Sequence, residues 1–350
     1  MDRENTQPAS NAGALILGIE TSCDETAAAV VRDGRKVLSN VIASQIDVHE
    51  AFGGVVPEIA SRHHLTAING VVKAALVEAG ITVEELDAIA VTKGPGLIGA
   101  VLIGLATAKA MAFASDKPLL GVHHIKGHIC AALLEHPELA PPFLALVVSG
   151  GHTSLVSVRG LAGNPGDMAV LGSTRDDAVG EAYDKVARIL GLGYPGGPKV
   201  DALAKEGDPG AIHFKRVMLD EGSLDFSFSG LKTGVANYVN SRKQAGLPVC
   251  AADVAAGFQE AALDVLSAKT CAAAAMSGYD TLALVGGVAA NSALRARMER
   301  ESQQAGVRLC IPSPVYCTDN AAMVACAGYF QYMAGNADGL SLDAAAALPL

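Results

Sequence analysis

The feature that most constrains the fold is a strand-turn-strand pattern that occurs twice. Residues 14–19 form a short apolar run that ends in Glu20-Thr-Ser-Cys-Asp-Glu-Thr26 and resumes over residues 27–31. Residues 143–148 likewise run into Ser149-Gly-Gly-His-Thr153 and return over residues 154–158. Continuous apolar runs this short, bounded by glycine, hydroxyl and carboxylate residues, read as buried strands joined in hairpins. After each hairpin, strand-like and helix-like apolar patterns alternate. Two such halves imply a duplicated α/β fold of two domains with a cleft between them. Length agrees, because 350 residues exceed the roughly 250–300 at which a single core stops growing.

Composition narrows the function classes. The net charge of −10 and pI near 5.4 argue against a surface built throughout for phosphate, so any nucleic acid must meet a local patch or a partner. Seven scattered cysteines without a Cys-x-x-Cys read as reduced thiols, which places the chain in the cytoplasm. Residues 1–13 are polar and carry Asp2, Arg3 and Glu4 where a signal peptide needs an apolar core; they read as a disordered tail. The most apolar long segment, residues 97–114, follows a Gly-Pro-Gly turn and contains Lys109, so it reads as a buried helix and not a membrane span.

One stretch has metal-ligand spacing. In Val122-His-His-Ile-Lys-Gly-His128, His124 and His128 are four positions apart and share one face of a helix. His123 has Gly127 at that spacing, which leaves His123 a capping or structural residue. Two histidines so placed also occur as a helical coincidence, and a third ligand decides between the readings. A zinc protease would need glutamate directly after the first histidine; Ile125 stands there.

Further motifs follow in order. Gly94-Pro-Gly96 between a strand and a helix can aim backbone N–H groups at an anion. In Tyr194-Pro-Gly-Gly197, Gly197 permits close approach to a ligand, and Asp201 follows. Gly286-Gly-Val-Ala-Ala-Asn291 suits a base or ribose, with Asn291 offering a two-way amide. Asp319 opens the C-terminal helix, where an aspartate in isolation reads as a cap. Arg295, Arg297 and Arg300 form either a local basic patch for nucleic acid or a solvated helix face.

These stretches, with Gly53-Gly-Val-Val-Pro-Glu58, Tyr183-Asp-Lys185, Phe228-Ser-Gly-Leu-Lys-Thr233 and Thr318-Asp-Asn320, make ten motifs in unbroken order from about residue 15 to 330. The set closely resembles the tRNA threonylcarbamoyladenosine transferase family. The resemblance implies an actin-like ATPase (sugar kinase, heat-shock chaperone, actin) fold. Its first domain would hold residues 14–118 plus about 319–340, and its second residues 119–318. It also implies one divalent metal, Fe²⁺ or alternatively Zn²⁺, on His124, His128 and Asp319. Substrate-binding positions fall on Val147, Val148, Ser149, Gly150, Gly151, Asp184, Gly197, Asp201 and Asn291. The implied reaction moves a threonylcarbamoyl group from threonylcarbamoyl-AMP to the N6 amine of the adenosine 3′ of the anticodon in ANN-decoding tRNAs, releasing AMP. Asp24 and Glu25 are the candidate proton acceptors. Implied partners are a paralogous actin-fold subunit (TsaB-like) and a small ATPase (TsaE-like), with no membrane. Lys126 stands where relatives often carry an acid, and Lys93 precedes the Gly-Pro-Gly turn. The rival readings on the same fold are a small-molecule kinase and a non-catalytic scaffold of a tRNA-modifying complex.

Overall fold

A computed structural model describes residues 13–219 and 222–350, so the tail expected over residues 1–13 lies outside the described residues except for Gly13. Two five-stranded sheets carry the architecture. The first contains β1 (Leu15–Glu20), β2 (Glu25–Arg32), β3 (Lys36–Ser44), β4 (Ala88–Gly94) and β5 (Leu119–His123) in the order β3-β2-β1-β4-β5. The second contains β6 (Phe143–Val148), β7 (Thr153–Val158), β8 (Met168–Ser173), β9 (Thr281–Val285) and β10 (Arg308–Cys310) in the order β10-β9-β6-β7-β8. Each is an antiparallel meander of three strands followed by two parallel strands. The two expected hairpins are β1-β2, in register from Leu15↔Arg32 to Glu20↔Ala27, and β6-β7, from Phe143↔Val158 to Val148↔Thr153.

The apolar runs form the central strands because both of their faces are covered. Every residue of β6 is buried, as are five of the six in β1. The third strand of each meander, β3 and β8, lies at the sheet edge, is mostly half-exposed, and carries a mixed sequence. The first sheet also extends past residue 118, since β5 hydrogen-bonds to β4 from Ile89↔Leu119 onward.

Two helices fill the space between the sheets. The histidine helix, His124–Ala131, is buried at every residue. The C-terminal helix, Ala321–Met333, lies against β1 and β4, where a side chain at Gly18 would collide with the backbone of Ala321 and Ala325, and one at Gly328 with Ala90. These two glycines let the helix sit directly on the sheet, which brings the chain back beside the histidine helix. On the outer face, helix Ile98–Ser115 buries Ala100, Val101, Gly104, Leu105, Ala108 and Ala112. Its other face leaves Ile98, Leu102 and Phe113 exposed. The helix is long and apolar enough to cross a membrane, yet a third of it is packed inside the fold.

Candidate metal centre and substrate cleft

His124 and His128 project one turn apart from the histidine helix, with ring planes at 80° and centroids 4.6 Å apart. Asp319 arrives from the chain just before the C-terminal helix. Its Oδ1 lies 3.1 Å from His128 Nε2 and 3.5 Å from His124 Nε2. Metal–ligand bonds of about 2.1 Å set neighbouring donor atoms roughly 3.0–3.4 Å apart, so the three side chains already stand at coordination spacing. His128 makes the sharper point. It is fully buried, and neither ring nitrogen has a hydrogen-bond partner among the described residues. An imidazole buried with its nitrogens unpaired is costly, and a cation on Nε2 removes the part of that cost that falls on Nε2. The residues therefore fit a metal.

The two alternatives left open by the sequence resolve in the same place. Asn320, not Asp319, caps the C-terminal helix, its Oδ1 accepting from the Met323 N–H at 3.0 Å. Asp319 is thereby free to be a ligand. His123 caps the histidine helix, its Nδ1 accepting from the Ile125 N–H at 3.2 Å while its Nε2–H donates to the Leu348 carbonyl at 3.0 Å.

Behind His124 stands Glu20, which the sequence reading passed over. Glu20 is fully buried at the end of β1, and its Oε2 lies 3.1 Å from His124 Nδ1. Thr92 Oγ1 donates to the same oxygen at 2.6 Å, and the Ser22 amide donates to Oε1 at 2.5 Å. A carboxylate bonded to the far nitrogen fixes which tautomer presents its lone pair to a metal. Its burial is the signal, because a glutamate is almost never fully buried without a partner. Electrostatics agree. Burial opposes a charge on His124, but Asp319 and Glu20 outweigh it and raise the imidazole to about 9. Burial likewise pushes Asp319 and Glu20 up, and the imidazoles bring both below the usual carboxylate range. The pocket favours a positive charge between these side chains.

A cavity of about 350 Å³ opens in front of the triad, lined by Ser22, Asp24, Glu25, His124, Asp319 and the Ser149–His152 turn, among others. Gly150, Pro195 and Gly287 border a second cavity of about 430 Å³, lined also by Asp184, Gly197, Asp201 and Asn291. The structure thus gathers eleven expected site residues around one continuous cleft, with His128 buried behind them. Val147 and Val148 are the exceptions, since their side chains are buried in the two cores on either side of β6.

Several residues are placed differently from the simplest expectation. The Ser149 amide closes its own turn onto the His152 carbonyl at 2.8 Å, so it does not point to a ligand. Around Gly150 and Gly151 there is open space. Asn291 caps helix Ser292–Ala305 through Oδ1 and donates to Gln259 at 2.9 Å, which engages both ends of its amide. Asp184 receives the Gly196 amide at 2.7 Å and so shapes the turn before Gly197. Asp201 is the open acceptor: Oδ2 holds Ser292, and Oδ1 is buried without a hydrogen bond. Burial raises Asp24, and it raises Glu25 to about 7. His152, also in the cavity wall, is held neutral by burial, at about 4. Neither reading of the arginine cluster survives intact. Arg297 is an internal strut paired to Glu260 and Asp264, Arg295 binds the Ala289 and Pro312 carbonyls, and only Arg300 is exposed.

Comparison with known proteins bears on the fold and on the family. The fold resembles component A of the Acidaminococcus fermentans (R)-2-hydroxyglutaryl-CoA dehydratase, at TM-score 0.51 and 17% identity over 90% of this chain and 98% of that one. It also resembles full-length HypF, at TM-score 0.60 and 12% identity over 91% of this chain and 46% of that one. These likenesses establish the duplicated actin-like ATPase fold. In sequence, the chain is 56% identical to the tRNA N6-adenosine threonylcarbamoyltransferase of Clostridium beijerinckii over 94% of this chain and 96% of the relative. It is 54% identical to that of Clostridium botulinum strain 657 over 96% and 97%. The family model TsaD, described as tRNA N6-adenosine threonylcarbamoyltransferase, matches residues 36–326. The chain belongs to the tRNA N6-adenosine threonylcarbamoyltransferase family.

Proposed function

We propose that the chain transfers a threonylcarbamoyl group from threonylcarbamoyl-AMP to the N6 amine of the adenosine 3′ of the anticodon in ANN-decoding tRNAs, with release of AMP. The observation that carries this reading is the continuity of the two cavities. An anionic adenylate needs a cation and backbone donors at its acyl-phosphate end, and polar groups with room for a nucleoside at the other. His124 and Asp319, with His128 buried behind them, face the Gly150-Gly151 turn in the first cavity, and Asp184, Gly197 and Asp201 line the second.

His124, His128 and Asp319 would hold one divalent ion, Fe²⁺ in this reading, with Zn²⁺ as the alternative. A metal there supplies Lewis-acid stabilisation of negative charge on the donor's oxygens. The chain's own residues supply the rest. The amides of Gly150 and Gly151 face the mixed anhydride, where donors to the developing oxyanion count most. Asp201 Oδ1 accepts from the nucleoside. Glu25, near 7, is matched to taking the proton that the adenine amine loses, with Asp24 beside it.

The partners in this reading are a paralogous actin-fold subunit (TsaB-like) and a small ATPase (TsaE-like), in the cytoplasm. Exposed Leu65, Ile98, Leu102 and Phe113 on two adjacent outer helices offer the first of these an apolar surface. The test is direct. Purified chain, with those two partners added, is given synthetic threonylcarbamoyl-AMP and unmodified tRNA, and the digested tRNA is read by mass spectrometry. Threonylcarbamoyladenosine at the position 3′ of the anticodon supports the proposal; AMP release without modified tRNA sinks it.

A further inference from the structure

A separate cavity of about 320 Å³ lies across the histidine helix from the cleft, walled by Lys93, His123, Lys126, Asn164, Gln331 and Leu348 among others. Lys126 is only 6% exposed, and its Nζ has no hydrogen-bond partner among the described residues. A buried ammonium without a partner costs several kcal/mol, a cost that a bound anion offsets. Lys93 adds a second positive charge to the same wall. Asp167 is the one acidic side chain there, and its Oδ2 is spent on the amides of Gly163 and Asn164, at 2.8 and 3.0 Å. The carboxylate does not reach ion-pair distance of either lysine. The α-carboxylate of Leu350, also in the wall, stays beyond ion-pair distance of both lysines as well, so the cavity holds two unpaired ammonium groups although its charges sum to zero.

The remaining polar groups narrow the anion. Asn164 takes a hydrogen bond on Oδ1 from Asn336, at 3.2 Å, which turns its NH₂ end to other acceptors. Gln331 donates Nε2 to the Gly121 carbonyl at 3.3 Å, and its Oε1 is buried without a donor. His123 is fully engaged at both ring nitrogens. The vacant functions are thus two ammonium groups, an amide donor and one acceptor. A carboxylate answers only the donors. A phosphate that retains a P–OH answers all four, because its hydroxyl can donate to Gln331 Oε1. Gly163 leaves the space: a side chain there would press within 3.1 Å of Lys126 Nζ, and its φ of +87° also favours glycine.

We propose that this cavity is a phosphate-binding site, distinct from the cleft, for inorganic phosphate or the terminal phosphate of a small phosphomonoester. Its walls include the cap of the histidine helix and Lys93, which precedes the Gly94-Pro95-Gly96 turn whose far side lines the cleft.

Isothermal titration of the intact chain tests it, with inorganic phosphate, glycerol phosphate and acetate as separate probes. Saturable phosphate binding is expected, weakened at least tenfold in Lys126→Met and severalfold in Lys93→Met, and unchanged in Gly150→Val, which alters the cleft where it would receive a phosphate. Acetate is expected to bind at least tenfold more weakly than phosphate. Tighter binding of glycerol phosphate than of phosphate would assign the site to a phosphomonoester, and the reverse to the free ion. Lys126→Met removes a buried charge and should melt no lower than the parent; if it does not fold, Lys93→Met still decides. Absence of saturable phosphate binding, binding indifferent to both lysines, or binding lost in Gly150→Val overturns the proposal.

Discussion

The turn after β1 and the turn after β6 occupy equivalent places in two copies of one sheet, and they have taken opposite chemistry. The first turn spends side chains: Glu20 and Ser22 hold His124, while Asp24 and Glu25 face the cavity. The second removes them: Gly150 and Gly151 leave bare backbone in open space. One half of the cleft is thereby made to attract a cation and the other to receive an anion. A duplicated fold gives each half the same scaffold, so the division of labour rests on a few turn residues at the strand ends. Changes in the first turn should act through the metal, and changes in the second through the donor.

The largest effect should come from the ligands themselves. His128→Ala is expected to lower transfer about a thousandfold, in line with the several kcal/mol a catalytic metal supplies, as measured by the rate of AMP release. Next is Glu20→Gln, which keeps the shape but loses the carboxylate behind His124; metal affinity in competition with a chelator should fall about 10–100-fold. Gly150→Val breaks the other side of the comparison. The donor's KM should rise roughly tenfold, the scale of a lost contact of 1–2 kcal/mol, with metal content unchanged. Metal loss in Gly150→Val, or an unaltered metal affinity in Glu20→Gln, would erase the distinction between the turns.

The smallest effect concerns pH. Burial raises Glu25 from the usual 4.5 to about 7, so its carboxyl is neutral in acid and ionises as pH climbs through neutrality. Transfer should rise with pH through about 7, and Glu25→Gln should flatten that limb while lowering the plateau severalfold. Stability runs the other way. A carboxyl whose folded value is raised contributes stability in full below about 4.5 and loses it through about 7, so the Gln variant should gain relative stability above neutrality. Chemical denaturation at two pH values reads this.

Much of this was legible in the sequence, for identifiable reasons. The hairpins and the long helix Ala251–Ser277 stand out because buried strands and helices carry dense apolar signals, whereas the half-exposed edge strands β3 and β8 do not. The register on His124 and His128 follows from helical spacing alone. Asp319 does not, since its partnership with them depends on Gly18 and Gly328 admitting the C-terminal helix, a packing fact no local pattern encodes. Glu20 was missed because a single acid after a strand looks like any turn residue until its burial is known. Arg297 misled for the same reason: its partners Glu260 and Asp264 lie on another helix. Asn291 lines the second cavity, but a residue that can hold a ligand can also cap a helix, and here its amide does the latter.

The most direct test of the metal centre is the metal content of the purified chain and of Asp319→Ala, measured by elemental mass spectrometry after identical loading and desalting. The account predicts one ion of iron or zinc per chain in the parent, and its loss in Asp319→Ala with the fold intact by circular dichroism. An Asp319→Ala protein that keeps the parent's metal content would contradict it.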